Sequence, residues 1–351
     1  MTPPEHSNVE GLGPFSERTF LDGSLEDWTF AWPIRTPANV IVSPGARKAA
    51  AALAARHGDV RARPDGSVSS PQAWIFACRA DGAFSEERVA AARLEWFDAR
   101  ERELPSVAGQ PLRVADAWVF HVEHWSDLLW ANLLAIGPFL WSRLASPMSL
   151  AWAAARAGSF RPELVAGGLV ERGSGCFIHP NATVEFSVVG AGARIGAGAV
   201  VRGCVLGEGA VVEELAMVEG CVLGPEAKIQ RQAMAKYSVI EARAAHAGTV
   251  QLGVIGLAAH VRHGATLFDQ TLGAPVRMRR GGELVQAPRE IIGVCVGPYA
   301  TIGQGVRIAA GRVVPPGLTI LPDPAGVLTT VDIPEGTTRT RVRNGKLEPI
   351  A

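Results

Sequence analysis

The sequence has no excess of either charge: 34 lysines and arginines face 34 aspartates and glutamates. Nothing global therefore draws the chain to nucleic acid or to an anionic membrane. Cysteine is scarce. Cys78, Cys176, Cys204, Cys221 and Cys295 are odd in number and form no CxxC pair, so neither a disulfide framework nor a zinc knuckle is indicated. The first twenty residues lack the basic start and apolar core of a secretory signal, and the expected setting is a reducing cytoplasm. Long apolar runs are missing too. The most apolar stretch, Leu128 to Trp141, is broken by Asn132, Gly137 and Pro138 and is too short for a bilayer. It reads as a helix buried between domains. Tryptophan is absent from the second part of the chain: all nine lie in the first 152 residues, whereas 29 of the 39 glycines follow residue 160. Two regions of different build are expected.

What the second region has is a period. CVLG occurs at Cys204 and again at Cys221, seventeen residues on; SVVG precedes at Ser187 and SVIE follows at Ser238. Aliphatic residues fall at Val189, Ile195, Val201, Leu206, Val212, Val218, Leu223 and Ile229, in steps of six, six and five. A six-residue step does not fit an α-helix, whose apolar face recurs every three to four residues. It fits a parallel β-helix of hexapeptides, three short strands to a triangular turn, with one aliphatic side chain per step pointing inward. Ser187, Cys204, Cys221 and Ser238 should then stack in one column, about 4.8 Å apart. The period resumes at Val296, Ile302, Ile308, Val314 and Ile320. Between the two runs, PVRMRR and ELVQ flank Gly281-Gly282, which predicts a β-hairpin inserted at 271–290.

The expected organisation is a loose polar N-terminus (1–30), a reduced α/β domain (31–125), a helical connector (126–170), the β-helix of about nine coils or fewer (171–322) and a C-terminal tail (323–351). Within the first domain, strands are expected at 38–43, 74–80 and 113–122, and helices at 45–58 and 85–103. A helix opening at Ser126-Asp127 and a second over PMSLAWAAARA complete the connector. In the tail, Asn344-Gly345 marks a turn.

HWSDLLWANLLAI, CFIHPNATVEFSVVGAGARIGAGAVV and PVRMRRGGELVQAPREIIGVCVGPYATIGQGVRIAAG resemble the later part of the bifunctional sugar-1-phosphate nucleotidylyltransferase / glucosamine-1-phosphate N-acetyltransferases, over roughly residues 112–322. The resemblance implies a left-handed parallel β-helix preceded by a small α/β domain. It also implies a homotrimer, and an acyltransferase that uses acetyl-CoA or another acyl-CoA on a sugar phosphate or nucleotide sugar. Two departures stand out. The Gly-rich phosphate loop of the family's first domain has no counterpart; the nearest stretch, VSPGARKAA, offers one Gly, Arg47 and Lys48. Nucleotidylyl transfer is therefore expected to be lost. The family's general-base histidine falls at Gly248, with His246 two residues earlier.

His246, His260 and His263 are the candidate bases, since imidazole titrates near neutral pH and can deprotonate an amine or hydroxyl. Gln270 matches the family's substrate-binding asparagine. Arg277, Arg279 and Arg280 in the hairpin suit the phosphates of coenzyme A through the planar guanidinium fork. Two other readings stay open. One is a non-catalytic binding or regulatory relative. The other is a metal-dependent hydratase resembling the γ-class carbonic anhydrases, although His260 and His263 lie three apart, unlike that family's pair, and no metal ligand set is assigned.

Overall fold

The computed structural model describes residues 8–24, 34–35, 40–42, 60–65, 72–78, 84–85, 102–107, 110–114, 119–287, 290–326, 340–343 and 346–349. From Val170 to Ile320 the chain forms a left-handed parallel β-helix of three sheets, with eight, eight and seven strands. Each strand pairs with its equivalent in the next coil. Val188 lies opposite Val205, Val205 opposite Val222, and Val222 opposite Val239, all at the seventeen-residue spacing. The inward aliphatics expected from the six-residue step, Ile195, Val201, Leu206, Val212, Val218, Leu223 and Ile229 among them, fill one continuous interior.

The small-residue column forms as the period predicts, and hydrogen bonds join it. Ser187 Oγ accepts the N–H of Cys204 at 3.1 Å, and Cys204 Sγ accepts that of Cys221 at 3.5 Å. Cys221 Sγ accepts the N–H of Ser238 at 3.4 Å, and Ser238 Oγ accepts that of Gly253 at 3.1 Å. Each group also donates to the carbonyl two residues earlier. The corner just before this column is left-handed throughout: Phe186, Gly203, Gly220, Tyr237 and Leu252 have φ between 44° and 60°. Glycine avoids the Cβ penalty of that conformation at two of the five positions. On the third face the same period builds a ladder of alternating charge. Glu185 pairs with Arg202 at 2.7 Å, Arg202 with Glu219 at 3.5 Å, and Glu219 with Lys236 at 2.9 Å.

The three faces differ in what covers them. Outward residues of the first face (Val188, Val205, Val222, Val239, Val254, Cys295) are buried in a second apolar cluster. Its main cover is helix α1, Trp125–Leu144, which runs unbroken through Gly137 and Pro138. The cap lies two residues earlier than Ser126: His124 is the N-cap, and Asp127 Oδ2 accepts its N–H at 3.1 Å. Helices α2 (Pro147–Ala157) and α3 (Pro162–Gly167) follow and lead into the first coil.

Residues 8–24, expected to be loose, instead lie as a strap between α1 and the first face. Leu12, Phe20 and Leu21 are buried there. Asn132, the polar interruption of α1, holds the strap: its Oδ1 accepts the N–H of Leu21 at 3.0 Å and its Nδ2 donates to Thr19 O at 3.4 Å. Gly11, at φ +89°, fits where a Cβ would stand 3.3 Å from both Trp125 and Val313.

The described strands of the first domain form a four-stranded sheet (Ile34–Arg35, Val60–Asp65, Gln72–Cys78, Phe84–Ser85), a hairpin (Arg102–Val107 with Gln110–Val114) and the pair Val40–Val42 with Val119–His121. The expected helix at 45–58, with Arg47 and Lys48, lies outside the described residues, as does the expected helix at 85–103 except for its ends, where Ser85 closes one strand and Arg102 and Glu103 open another. The inserted hairpin is present, Arg277–Arg280 against Glu283–Gln286 around Gly281-Gly282 at φ +59° and +82°. In the tail, Thr340–Arg343 pairs with Lys346–Pro349 across the expected turn. No single helix among the described residues is long and apolar enough to cross a membrane.

Candidate active site

One coil is short. Val222 to Val239 is seventeen residues in register, but Val239 to Val254 is fifteen. The two missing residues come from the corner between the second and third faces. Four residues, Gln230–Ala233, join Ile229 to Met234 on one rung; only Ala247 and Gly248 join His246 to Thr249 on the next. The corner is thereby set back between a rung carrying exposed Arg231 and Gln232 and one carrying exposed Arg262 and His263. Ala247 at its floor is 5% exposed. Gly248 is required there, because a Cβ would collide with the Ala265 carbonyl oxygen. A histidine at 248, where the resembled family has its base, has no room on this backbone.

The three candidate histidines part company. His246 occupies the inward column of the second face, between Ile229 and Val261, and is 0% exposed. Its Nε2 lies 3.2 Å from Met234 O, and among the described residues its Nδ1 has no hydrogen-bond partner. Burial pulls its pKa from 6.5 to about 4, so it is a neutral core residue. As a base reached by substrate His246 is therefore corrected: no acceptor reaches a side chain closed inside the coils. His260 stands exposed on the outer surface of the second face, and His263 is exposed at the corner of the same rung.

Gln270 is exposed just where the chain leaves the solenoid. Beside it Asp269 closes the neck of the insertion, its carbonyl accepting the N–H of Ile292 at 2.8 Å. The Asp269 carboxylate accepts from Gln251 Nε2 at 2.8 Å, and burial raises its pKa.

The hairpin does not project freely. Val276 and Met278 are buried in the cluster beneath it, while Arg277 and Arg279 are exposed on its other side, as alternation requires. Arg279 O lies 2.9 Å from His124 Nε2, and Gly281 N donates to Glu10 Oε2 at 2.9 Å. Arg280 is already engaged: both guanidinium nitrogens donate to Asp127 at 2.8 Å, a bidentate pair at the N-terminus of α1. That pair engages the guanidinium that the sequence offers to coenzyme A phosphates. Within one chain the histidines sit on the second face and its corner, while the arginines sit on the hairpin packed against α1. They form no single cluster, and among the described residues no three His, Cys, Asp or Glu side chains are placed to hold a metal.

Two further residues matter. Asp127, a helix-start residue by sequence, also holds Arg280. Glu241 stands at a repeat position but replaces the glycine that ends SVVG, CVLG and CVLG, and that departure is its signal in the sequence. Glu241 is fully buried and its Oε2 accepts from Arg18 at 2.6 Å and from the N–H of Leu257 at 2.8 Å. It pins the strap to the solenoid.

Comparison with known proteins agrees with this architecture. The GlmU-like, C-terminal hexapeptide family matches residues 178–266, ending where the insertion begins. No curated protein matches the chain. Among solved structures, the acetyltransferase domain of PglB from Neisseria gonorrhoeae FA1090 is 19% identical over 44% of this chain and 55% of that one, with a TM-score of 0.21. A histidine-to-alanine variant of GDP-perosamine N-acetyl transferase from Caulobacter crescentus, in complex with CoA and GDP-perosamine, is 19% identical over 45% of this chain and 56% of that one, TM-score 0.19. The PglB domain in complex with acetyl coenzyme A is 18% identical over 63% and 80%, TM-score 0.22. The chain thus spans little more than half the length of the first two. The coils, their register and the family match together make this chain a hexapeptide-repeat protein.

Proposed function

We propose that the chain is an acyl-CoA-dependent acyltransferase whose acceptor is a sugar phosphate or nucleotide sugar. The observation that carries the reading is the set-back corner at Ala247–Gly248, with His263 and Arg262 exposed on its rim and His260 on the same rung. A recess lined by an accessible imidazole and a guanidinium fits an acceptor that bears both a nucleophile and a phosphate. The imidazole takes the proton of the acceptor amine or hydroxyl as that atom attacks the thioester carbonyl. Backbone N–H groups stabilise the oxyanion. The carbon–sulfur bond then breaks, and the departing thiolate takes the proton back from the imidazolium. Arg277 and Arg279 serve the coenzyme A phosphates, and in a homotrimer the hairpin of one copy and the histidines of the next line a shared cleft.

Calorimetric titration tests the donor half of this reading. Acetyl-CoA should bind, and Arg277→Ala with Arg279→Ala should weaken it at least about tenfold, since a charge-assisted contact is worth roughly 1.5–3 kcal/mol. Absence of binding at millimolar acetyl-CoA overturns it. A second reading, a non-catalytic relative, is favoured by one observation: the family's base position is Gly248, closed against any side chain. It expects ligand binding without turnover.

A further inference from the structure

The short coil breaks a backbone ladder. At the corner between the second and third faces, a left-handed residue donates its N–H back to a carbonyl of the rung before. Leu215 donates to Ala197 O at 3.0 Å, Gln232 to Glu214 O at 3.1 Å and Gly305 to His263 O at 3.1 Å. The rung of Ala247 and Gly248 lacks the two residues that would continue the series. Among the described residues, nothing donates to the Arg231 carbonyl and nothing accepts the N–H of Gly264. The other two corners of the same coil keep their bonds, Arg243 N–H to Pro225 O at 2.9 Å and Leu252 N–H to Lys236 O at 3.0 Å. The Arg231 side chain turns away from the opening, to Glu214 of the rung before at 3.2 Å, and Gly264 has no side chain to fill it.

The two free groups are those that one peptide group would join. In an unbroken corner, the carbonyl that faces one neighbouring rung and the N–H that faces the other belong to a single trans amide, as His263 C=O and Gly264 N–H do. The rungs that flank the opening are two strand spacings, about 9.6 Å, apart. The nitrogen and oxygen of a trans amide face opposite ways and bridge that distance with two bonds of about 2.9 Å. A hydroxyl would make both bonds from one atom and fall short. We infer that the opening is a subsite for a secondary amide of a ligand, its N–H donating to Arg231 O and its carbonyl accepting from Gly264 N–H. Only the source of the amide rests on the acyltransferase reading. In that reading Arg262 and His263 on the rim face the acceptor, so the amide is an acylamino substituent of the acceptor sugar. The other secondary amides at hand are those of the pantetheine arm of the acyl-CoA.

The test uses the full chain and three probes. These are N-acetylglucosamine 1-phosphate, glucose 1-phosphate, which carries a hydroxyl in place of the acetamido group, and pantetheine. Hydrogen exchange should find the Gly264 N–H unprotected in the free chain and slowed at least about tenfold by the acetamido sugar, but not by glucose 1-phosphate, from the two bonds gained. Calorimetric titration should show a preference for the acetamido sugar of about tenfold on the same ground. Inserting Ala-Gly between Ala247 and Gly248 restores the seventeen-residue coil with Gly at the left-handed position. It should abolish the preference, protect Gly264 without ligand and leave the unfolding midpoint no lower. Protection by pantetheine in place of the sugar upholds the amide subsite and assigns it to the donor. Protection of Gly264 in the free chain, protection by neither amide, or a preference that survives the insertion overturns the inference. None of these measurements needs turnover. Thiol release without an amide preference leaves the acyltransferase reading intact and removes this inference; amide-dependent binding without thiol release does the reverse.

Discussion

Arg18 and Glu241, more than two hundred residues apart in sequence, meet at 2.6 Å with side chains only 1% exposed. Burial pushes the Glu241 pKa from 4.5 to about 7, against the pull of Arg18 and two backbone N–H groups. A carboxyl with a raised folded-state value contributes stability that is complete below about 4.5 and lost as pH rises through about 7. Removing Arg18 leaves a buried, unpaired carboxylate. Arg18→Met should therefore cost about 3–5 kcal/mol at pH 8 and far less at pH 5, where Glu241 is protonated. Denaturant titrations at the two pH values decide this; equal losses at both would show that the pair does not hold the strap.

His246 acts in the opposite sense. Its folded-state value of about 4 lies below the ordinary 6.5, so its contribution is present above 6.5 and lost as pH falls through about 4. The full effect is on the order of 3 kcal/mol, at about 1.4 kcal/mol per pKa unit. His246→Leu, matching its aliphatic column, should flatten that loss of stability between pH 6.5 and 4. Stability curves of the variant and the parent chain measure it, and identical acid slopes would contradict the buried neutral assignment.

Arg280 and Arg279 should separate cleanly. Arg280→Ala strips both charge-assisted bonds from Asp127 and unfastens the hairpin from α1, at a cost of roughly 2–4 kcal/mol. Arg279 is exposed, its guanidinium meeting only the Gly282 carbonyl among the described residues, and Arg279→Ala should stay within about 0.5 kcal/mol of the parent. Equilibrium unfolding of both variants provides the comparison, and similar values would remove the distinction drawn here.

The Cys column offers a fourth stability test. Cys204→Ser should be well tolerated, because Ser187 and Ser238 make the same bonds at the column's ends. Cys204→Val leaves the N–H of Cys221 without its acceptor and should cost about 1–3 kcal/mol. Thermal midpoints of the two variants should differ, with the serine variant the higher.

The solenoid was legible because its period is a property of the chain: the spacing that stacks Cys204 on Cys221 is visible in the letters themselves. The same step of six from Ile240 reaches His246, and it places that histidine in the core. Family likeness to the stretch around Gly248 pointed to a catalytic role instead, and the period was the better guide. The cover on the first face also left a trace. Its strands read VV, VL, VL, VI, VI and CV, apolar on both sides, whereas the second face alternates as in Arg194-Ile195 and Lys228-Ile229. The strap was not legible, because residues 8–24 are held by partners such as Asn132 and Glu241 that lie far along the chain. No local pattern encodes such contacts.

Thiol release from acetyl-CoA, measured across a panel of amino- and hydroxyl-bearing sugar phosphates and nucleotide sugars, tests the central claim most directly. The account predicts acceptor-dependent release that His260→Ala or His263→Ala abolishes and His246→Leu leaves intact. Release that survives both exposed-histidine variants, or that His246→Leu alone removes, would contradict it.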